Sequence, residues 1–263
     1  VVQRQVDLPV ETLPIDPNRD VLSQVQKEIA PDSLYMDLTT APTLRAKVAD
    51  DEANGLYYLV LHNHHIMIDH IGMAKVVEEI ICYLSGQAAV LPTPALYRDF
   101  IGDTLNKEKL EASKKYFTEL YADVTESTYP FDLSDTKIDG GSHIVSSETM
   151  LSAELNDSIR KVSGEIQVSP AVLFHAAFGL VVGRCSSKDY AIFGSVLLGR
   201  LQGSKGSDAS LGLFMNTLPI MMDLKGDVPT YLHHTNDRLQ ELLNFEQTPL
   251  SKIHQWSNIS NEV

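Results

Sequence analysis

Cysteine and basic residues are scarce in this sequence, and both shortages narrow what the protein can be. Its two cysteines, Cys82 and Cys185, lie among apolar neighbours in segments with helical spacing, where a small buried thiol is commoner than a disulfide half or a nucleophile. The 21 Lys and Arg residues are outnumbered by 35 Asp and Glu residues, and the formal charge of -14 would repel a phosphate backbone. We therefore expect neither a disulfide nor a nucleic-acid partner.

Long apolar runs and a signal peptide are missing as well. No stretch approaches the length that crosses a bilayer, and the N-terminal residues lack the charged and apolar regions of a secretory signal. These observations predict a soluble protein of the cytoplasm with no membrane partner. The chain also begins without Met and ends just after an amphipathic segment, so we interpret it as an excerpt of a longer protein.

What the sequence does have is an alternation of strand and helix patterns. Of its 263 residues, 43% are hydrophobic, which is enough for one large domain or two modest ones. Strand-like segments at 55–61, 147–151, 190–196 and 213–222 alternate with helical spacing at 71–84, 106–120, 152–163, 170–184 and 229–245. This alternation predicts an α/β sandwich, and the composition of the first strand predicts burial on both of its faces.

A cluster of histidines follows that first strand. His62, His64, His65, Asp69 and His70 fall within nine residues at a strand-to-helix turn. For His62 and His70 the ordinary interpretation is a polar residue near a strand end, whereas the adjacent pair would point to opposite faces, with one imidazole facing a cleft. A metal site is an alternative, but the spacing lacks the His-Glu-x-x-His pattern and no cysteine is near, so we predict no metal.

The chemistry that this cluster indicates is proton handling without a covalent intermediate. Imidazole accepts or orients a proton near neutral pH, as acyl transfer to an amine requires. Neither a Gly-x-Ser-x-Gly turn nor a nearby cysteine supplies a nucleophile. The pattern therefore favours direct attack by one bound substrate on another, in an enzyme that works largely by holding the two in register.

Further motifs follow one another along the chain and narrow the family. His64-His65-Ile66-Met67-Ile68-Asp69 resembles the HHxxxDG motif of several coenzyme-A-dependent acyltransferases and of condensation domains. The other matches are Met36-Asp37-Leu38 with Pro42 and Leu44-Arg45, Leu96-Tyr97-Arg98-Asp99-Phe100, Tyr116-Phe117 with Leu120, Gly194-Ser195-Val196-Leu197-Leu198-Gly199-Arg200, and Leu211-Gly212-Leu213-Phe214-Met215-Asn216-Thr217-Leu218-Pro219. Together they resemble the condensation domains of nonribosomal peptide synthetases.

This resemblance implies a fold and a reaction. The fold is an α/β pair of two-layer sandwich lobes of the chloramphenicol acetyltransferase-like type, here a partial pair. Residues 1–105 would belong to the N-terminal lobe, 106–145 to a linker helix and interlobe connection, and 146–263 to the C-terminal lobe. In the implied reaction, the amino group of an acceptor aminoacyl thioester attacks a donor acyl or peptidyl thioester. Peptidyl carrier domains beside an adenylation domain supply both substrates on 4'-phosphopantetheine arms, and the chain itself binds no cofactor covalently.

The resemblance also implies roles for single residues. His65 matches the catalytic second histidine, acting as a base or as a group that positions the amine. His64 and Asp69 match the first histidine and the aspartate of the same motif, and complete the catalytic set. Asn216 matches an asparagine near the site. His70 stands at the motif's glycine position and is followed closely by Gly72. This replacement removes a residue able to take a positive φ at no cost.

Arg200 is expected to support the site through Asp69. A buried carboxylate beside a catalytic imidazole needs a partner, and a guanidinium fits a carboxylate with two hydrogen bonds. The alternative is that Asp69 caps the helix beginning near Ile71. Other functions also stay open: epimerisation, acyl transfer from coenzyme A, or a catalytically silent domain that recruits carrier proteins.

Overall fold

The computed structural model describes residues 5–30, 35–93, 95–133, 147–201 and 209–257. They form two compact units, one of Val1–Ala95 with Ala209–Leu213 and one of Leu96–Asp208 with Phe214–Val263. Both units combine helices with strands, which confirms the predicted α/β class. The division of the chain at residues 105 and 145 stays a prediction, and residues 134–145 of the expected connection lie outside the described residues.

The first unit is built on a three-stranded sheet in the order β1-β2-β3. Its elements are β1 (Val10–Thr12), α1 (Val21–Glu28), β2 (Leu44–Asp51), β3 (Leu56–Asn63) and α2 (His70–Leu84), followed by a short 3-10 turn at Ala88–Val90. β1 runs parallel to β2, whereas β2 and β3 form an antiparallel hairpin in which Leu44 faces Asn63. Val21 and Val25 of α1 pack against Ala49 and Val60 and form the core of this unit.

The prediction that β3 is buried on both faces is wrong. Val60 is only 5% exposed and faces α1, but Tyr57 and Leu59 are 74% and 45% exposed. Side chains alternate along a strand, so the two exposed residues share the face opposite the core. An apolar strand composition does not distinguish one covered face from two, and in the described structure only the α1 side is covered.

The second unit packs helices around a two-stranded antiparallel sheet. It contains α3 (Tyr97–Thr104), α4 (Lys107–Leu120), a 3-10 turn at Pro130–Asp132, α5 (Ala153–Glu165), α6 (Pro170–Cys185), β4 (Tyr190–Leu197), β5 (Asn216–Asp223), α7 (Val228–Leu243) and α8 (Leu250–Trp256). Fully buried Phe117, Tyr121, Leu218 and Ile253 lie at its core. The strand predicted at 147–151 is wrong: no described strand pairs with it, and Met150 is 93% exposed.

Short polar side chains define where the helices of this unit begin. Asn106 accepts hydrogen bonds from the amides of Glu108 and Lys109 and so starts α4. Ser152 and Ser169 cap α5 and α6 in the same way, and Pro170 occupies the first position of α6, where its missing N–H costs nothing. The predicted starts of these helices are therefore confirmed.

The β4–β5 register follows from two side-chain contacts. Thr128 Oγ1 donates to the Ile192 carbonyl at 2.6 Å and accepts from the Ile192 amide at 3.1 Å, so both groups of Ile192 point away from β5. Pro219, which has no N–H, faces Gly194 at an equivalent position, and its carbonyl accepts a 2.6 Å bond from Tyr121 Oη. Burial raises the pKa of Tyr121 well above its usual range.

The described helices include none that is, by itself, long and apolar enough to cross a bilayer. The pair α5 and α6 reaches that threshold only when the two are taken together across a 105° bend.

Candidate active site

His64 and His65 lie between the end of β3 and the start of α2, which confirms the predicted strand-to-helix turn. The His64 amide donates to the Thr43 carbonyl at 3.1 Å, and the Met67 amide donates to the His64 carbonyl at 3.0 Å, which closes the turn. The alternation of strand side chains therefore does not decide how the imidazoles point. The turn decides it: His64 is half-buried and His65 is exposed.

The half-buried His64 uses its ring to hold this turn. Its Nδ1 accepts a 3.1 Å hydrogen bond from the Ile66 amide, so in the neutral ring the hydrogen lies on Nε2. That bond fixes the backbone immediately after His65, because Ile66 is the next residue. His64 is thus placed as a supporting residue, while the neighbouring imidazole is the one open to a bound molecule.

Asp69 of the motif is held in place by its surroundings, since it is only 1% exposed and caps α2. Its Oδ1 accepts from the Gly72 amide at 2.8 Å, and its own amide donates to the Gly212 carbonyl at 3.2 Å. The second bond joins the histidine motif to Gly212, which belongs to the same unit but lies far away in sequence. Capping by Asp69 is therefore observed, and the pairing with Arg200, a residue of the other unit, stays a prediction.

The substitution of His70 for the motif's glycine leaves the backbone undisturbed. His70 is the first residue of α2, is exposed, and is not among the residues with positive φ. Gly72 is the position that resists a side chain, since a Cβ there would lie 2.5 Å from Ile68 Cγ1 and 3.3 Å from Asp69 Oδ1. The structural need for glycine in this segment therefore falls on residue 72.

His62 lies in β3 and is half-buried, as expected for a polar residue near a strand end. Its Nε2 is buried and has no hydrogen-bond partner among the described residues. Within the same described ranges, no group of three or more His, Cys, Asp or Glu side chains is placed to share a metal ion.

Arg200 belongs to an aromatic cluster of the second unit that sequence reasoning missed. Its guanidinium lies 3.9 Å from the centre of the Phe214 ring, where the ring face attracts a cation. Tyr97 and Phe100, from the start of α3, pack against the same ring at 5.2 and 4.4 Å. Gly199 takes φ +69°, and a Cβ there would lie 1.8 Å from the Phe214 carbonyl oxygen.

Three motifs that are far apart in sequence thus meet at Phe214. The i, i+3 spacing of Tyr97 and Phe100 was the signal available in the sequence, because it places both rings on one helix face. It did not show which residue the two rings pack against. Only the fold shows that these rings and the Gly199-Arg200 pair share one buried phenylalanine, which is 2% exposed.

Asn216 holds a loop of the second unit in place. Its Nδ2 donates to the carbonyls of Glu246 at 2.9 Å and Thr248 at 2.7 Å, on either side of Gln247. The residue therefore fixes the connection between α7 and α8 against the start of β5. Its expected support of the site stays a prediction.

Comparison with known proteins places this geometry in a family. The family model of the condensation domain matches residues 1–263. Malpinin synthetase of Mortierella alpina is 34% identical over 98% of this chain, and malpibaldin synthetase of the same organism is 31% identical over 98%. A linear gramicidin synthase of Brevibacillus parabrevis is 24% identical over 85%. The chain spans only 3%, 5% and 4% of these three proteins.

Solved structures agree with the sequence match at the level of the fold. VibH, an NRPS condensation enzyme, aligns with a TM-score of 0.73 and 17% identity, covering 99% of this chain and 62% of VibH. The first condensation domain of the calcium-dependent antibiotic synthetase aligns with a TM-score of 0.67 and 16% identity, covering 94% of this chain and 57% of that one. These alignments confirm the predicted chloramphenicol acetyltransferase-like fold class. With a family match over its whole length, the chain belongs to the condensation domain family.

Proposed function

We propose that this condensation domain forms an amide bond between two thioester-bound substrates. The single observation that carries the proposal is the intact histidine motif, with His65 exposed on a turn that His64 and Asp69 hold from either side. A side chain that must meet a substrate has to be exposed, and its neighbours have to be fixed so that its position is defined. His65 meets both requirements.

In the proposed reaction the acceptor's amino nitrogen attacks the donor's thioester carbonyl. A C–N bond forms, the C–S bond breaks, and the thiolate that leaves takes up the proton that the amine loses. His65 accepts that proton or orients the amine so that its lone pair faces the carbonyl. His64 contributes by holding the turn, and Asp69 by anchoring the start of α2. No covalent enzyme intermediate is required.

The partners of this reaction are proposals of the same kind. Two peptidyl carrier domains would present the donor and the acceptor on 4'-phosphopantetheine arms, and an adjacent adenylation domain would select the acceptor. The similarity to peptide synthetases supports this arrangement, as does the likeness to a four-domain nonribosomal peptide synthetase, at a TM-score of 0.70 and 15% identity. The cytoplasmic location expected from the sequence stays a prediction.

The experiment that tests the function uses the full-length protein and two loaded carrier proteins. Mass spectrometry of the acceptor carrier measures transfer of the donor acyl group within one turnover. His65→Ala should lower the transfer rate by about 100-fold or more, the range that general acid–base groups contribute. His233→Ala, an exposed histidine of α7, is the matched control and should transfer at the normal rate.

Four results would contradict the proposal. A folded His65→Ala variant with normal transfer would remove its catalytic residue. Inversion of the acceptor's α-carbon without transfer would indicate epimerisation, and transfer from acetyl-coenzyme A but not from a carrier protein would indicate a free acyltransferase. Binding of carrier proteins with no transfer in the unmodified protein would indicate a recruiting domain.

A further inference from the structure

The outer edge of β5, on the side away from β4, carries main-chain groups that no strand pairs with in the described structure. Thr128 holds both main-chain groups of Ile192 on the side of β4 that faces away from β5. Ile192 lies opposite Met221, and at such a position of an antiparallel pair both residues turn their N–H and C=O groups away from each other. The N–H and C=O of Met221 therefore point outward from β5, as do those of Asp223 two residues later.

Edges of natural sheets are usually protected, and part of this edge is. At Pro219 the outward carbonyl accepts the 2.6 Å hydrogen bond from Tyr121 Oη, and a proline has no N–H to satisfy. Met221 has no comparable partner among the described residues, since neither its N–H nor its C=O takes part in a hydrogen bond there. The protection of β5 thus ends between Pro219 and Met221, and the edge is open from Met221 to Asp223.

A cavity of about 420 Å³ lies along this open edge, between β5, the end of α4 and α7. Three consecutive residues of β5, Met221, Met222 and Asp223, border it. Their side chains alternate between the two faces of the sheet, so a space that touches all three lies beside the edge of the strand. Its volume is within the ~300–1,000 Å³ of clefts that commonly hold ligands. We call this space the edge groove.

The walls of the edge groove combine apolar surface with unbalanced acidic groups. The apolar surface comes from the two methionines of β5 and a leucine of α4. Glu241 is paired with Arg238, whose Nη1 lies 2.8 Å from its carboxylate, so these two charges cancel. Asp223 and Asp237 also line the groove and have no basic partner among the described residues. Even a charged His234 would offset only one of these two carboxylates, so the rim stays negative and favours a basic occupant.

We propose that the edge groove binds an extended, basic peptide segment of a partner protein, which adds to the sheet as a strand beside β5. The backbone of this segment would donate to and accept from the main chain of Met221, as in other cases of strand addition. Its lysine or arginine side chains would lie near Asp223 and Asp237, and its apolar side chains against Leu120. A second copy of this chain is a poorer occupant, because the chain has a formal charge of -14 and two acidic rims would repel each other.

The test uses the full-length protein and a fluorescent peptide of alternating valine and lysine, whose binding is followed by fluorescence anisotropy. We expect saturable binding, and a loss of about tenfold or more in affinity when glutamate replaces lysine, because like charges would then meet. Hydrogen-exchange mass spectrometry of residues 217–223 gives the location. Exchange of the Met221 amide should slow when the peptide binds, because that amide gains an acceptor.

N-methylated peptides separate strand addition from simple attraction between charges. Successive amides of a strand point to opposite edges, so methylating either all valines or all lysines blocks one edge of the peptide. One of these two forms cannot bond to β5 and should lose about tenfold or more in affinity, whereas the other should bind within about twofold of the parent peptide.

A protein variant tests the charge of the rim. Asp237→Asn should weaken binding by about two- to fivefold, the range of an exposed ion pair. Asp157→Asn, at an exposed position of α5, is the matched control and should bind normally.

Several results would overturn the proposal. Among them are the absence of saturable binding, equal effects of the two N-methylations, and binding that leaves exchange of the Met221 amide unchanged. Slow exchange of this amide without peptide would also count against a basic partner. Protection that grows with protein concentration would assign the edge to a second copy, and protection at every concentration would assign it to another segment of the full-length protein.

Discussion

Among the glycines that the structure describes, Gly199 is the one at which a single added methyl group should be most damaging. The glycine lies at φ +69°, a left-handed conformation, and its Cα approaches the backbone of Phe214 so closely that a Cβ would lie 1.8 Å from the carbonyl oxygen and 2.7 Å from the carbonyl carbon. Gly199→Ala therefore meets two separate obstacles. One is the backbone angle, and the other is a collision with main-chain atoms that no side-chain rotation can relieve.

The two costs can be worked separately. Left-handed backbone costs an L-residue about 1–2 kcal/mol. Forcing an atom into occupied space costs about 1–3 kcal/mol through displacement of the surrounding backbone. Their sum of about 2–5 kcal/mol is a large share of the 5–15 kcal/mol that typically stabilises a folded protein. Displacement of the Phe214 backbone would also move the Phe214 ring away from Arg200, whose guanidinium lies 3.9 Å from the ring centre.

Chemical denaturation of the full-length protein measures this loss, and two other glycines separate its causes. Gly86 has nearly the same angle, φ +70°, with nothing within 4 Å of a Cβ, so Gly86→Ala should lose only the backbone share. Gly164, in α5, has neither obstacle, and its substitution by Ala should be neutral or stabilise by up to ~1 kcal/mol. If Gly199→Ala loses no more than Gly86→Ala, the contact with Phe214 is not the constraint that we describe.

Asp69→Ala should lose about 0.5–2 kcal/mol of capping, whereas Asp69→Asn keeps an acceptor for the Gly72 amide and should be the more stable variant. Equal unfolding free energies of these two variants would argue against the cap. Thr128→Val removes both hydrogen bonds to Ile192, so it should lower the unfolding free energy by about 1–3 kcal/mol and speed exchange of the Ile192 amide hydrogen. Unchanged exchange would contradict this pairing. Burial, reinforced by the charge of Glu241, raises the pKa of Tyr116 from 10.0 to about 12. The pKa of Tyr116 is higher in the folded than in the unfolded protein, so its contribution to the unfolding free energy is complete below pH 10 and is lost as the pH rises to 12. Tyr116→Phe should therefore reduce the decline in the unfolding free energy that denaturation measures across this range. Parallel declines in the two proteins would refute the assignment.

Local chemistry explains which parts of the fold were predictable from the sequence. The starts of α4, α5 and α6 were predictable from the sequence, because a helix start depends on the type of its capping residue and on amides two or three positions ahead. Gly86, at φ +70° just beyond α2, follows from the same kind of local rule. Where each cause lies within a few residues, sequence is sufficient.

Contacts between distant segments were not predictable in this way. Nothing local to Thr128 indicates that its hydroxyl will bind both main-chain groups of Ile192, 64 residues away. Exposure of Tyr57 and Leu59 depends equally on which elements pack against the sheet, and their apolar composition pointed to the opposite answer. The orientation of His64 and His65 was also not predictable from strand alternation, since β3 ends at Asn63 and the chain turns before it reaches this pair.

The histidine motif shows how a conformational requirement can be separated from a sequence pattern. A glycine after the motif aspartate suggests a need for positive φ, yet His70 occupies that position as the first helical residue and keeps its side chain in solvent. The spatial requirement is instead at Gly72, where the amide must reach Asp69 Oδ1 and where a Cβ would collide with the buried Ile68. A helix cap needs its third residue close to the capping side chain, so crowding is greatest there and not at the first residue. His70 is therefore compatible with an intact site, because the geometry that holds Asp69 and the turn before it depends on Gly72.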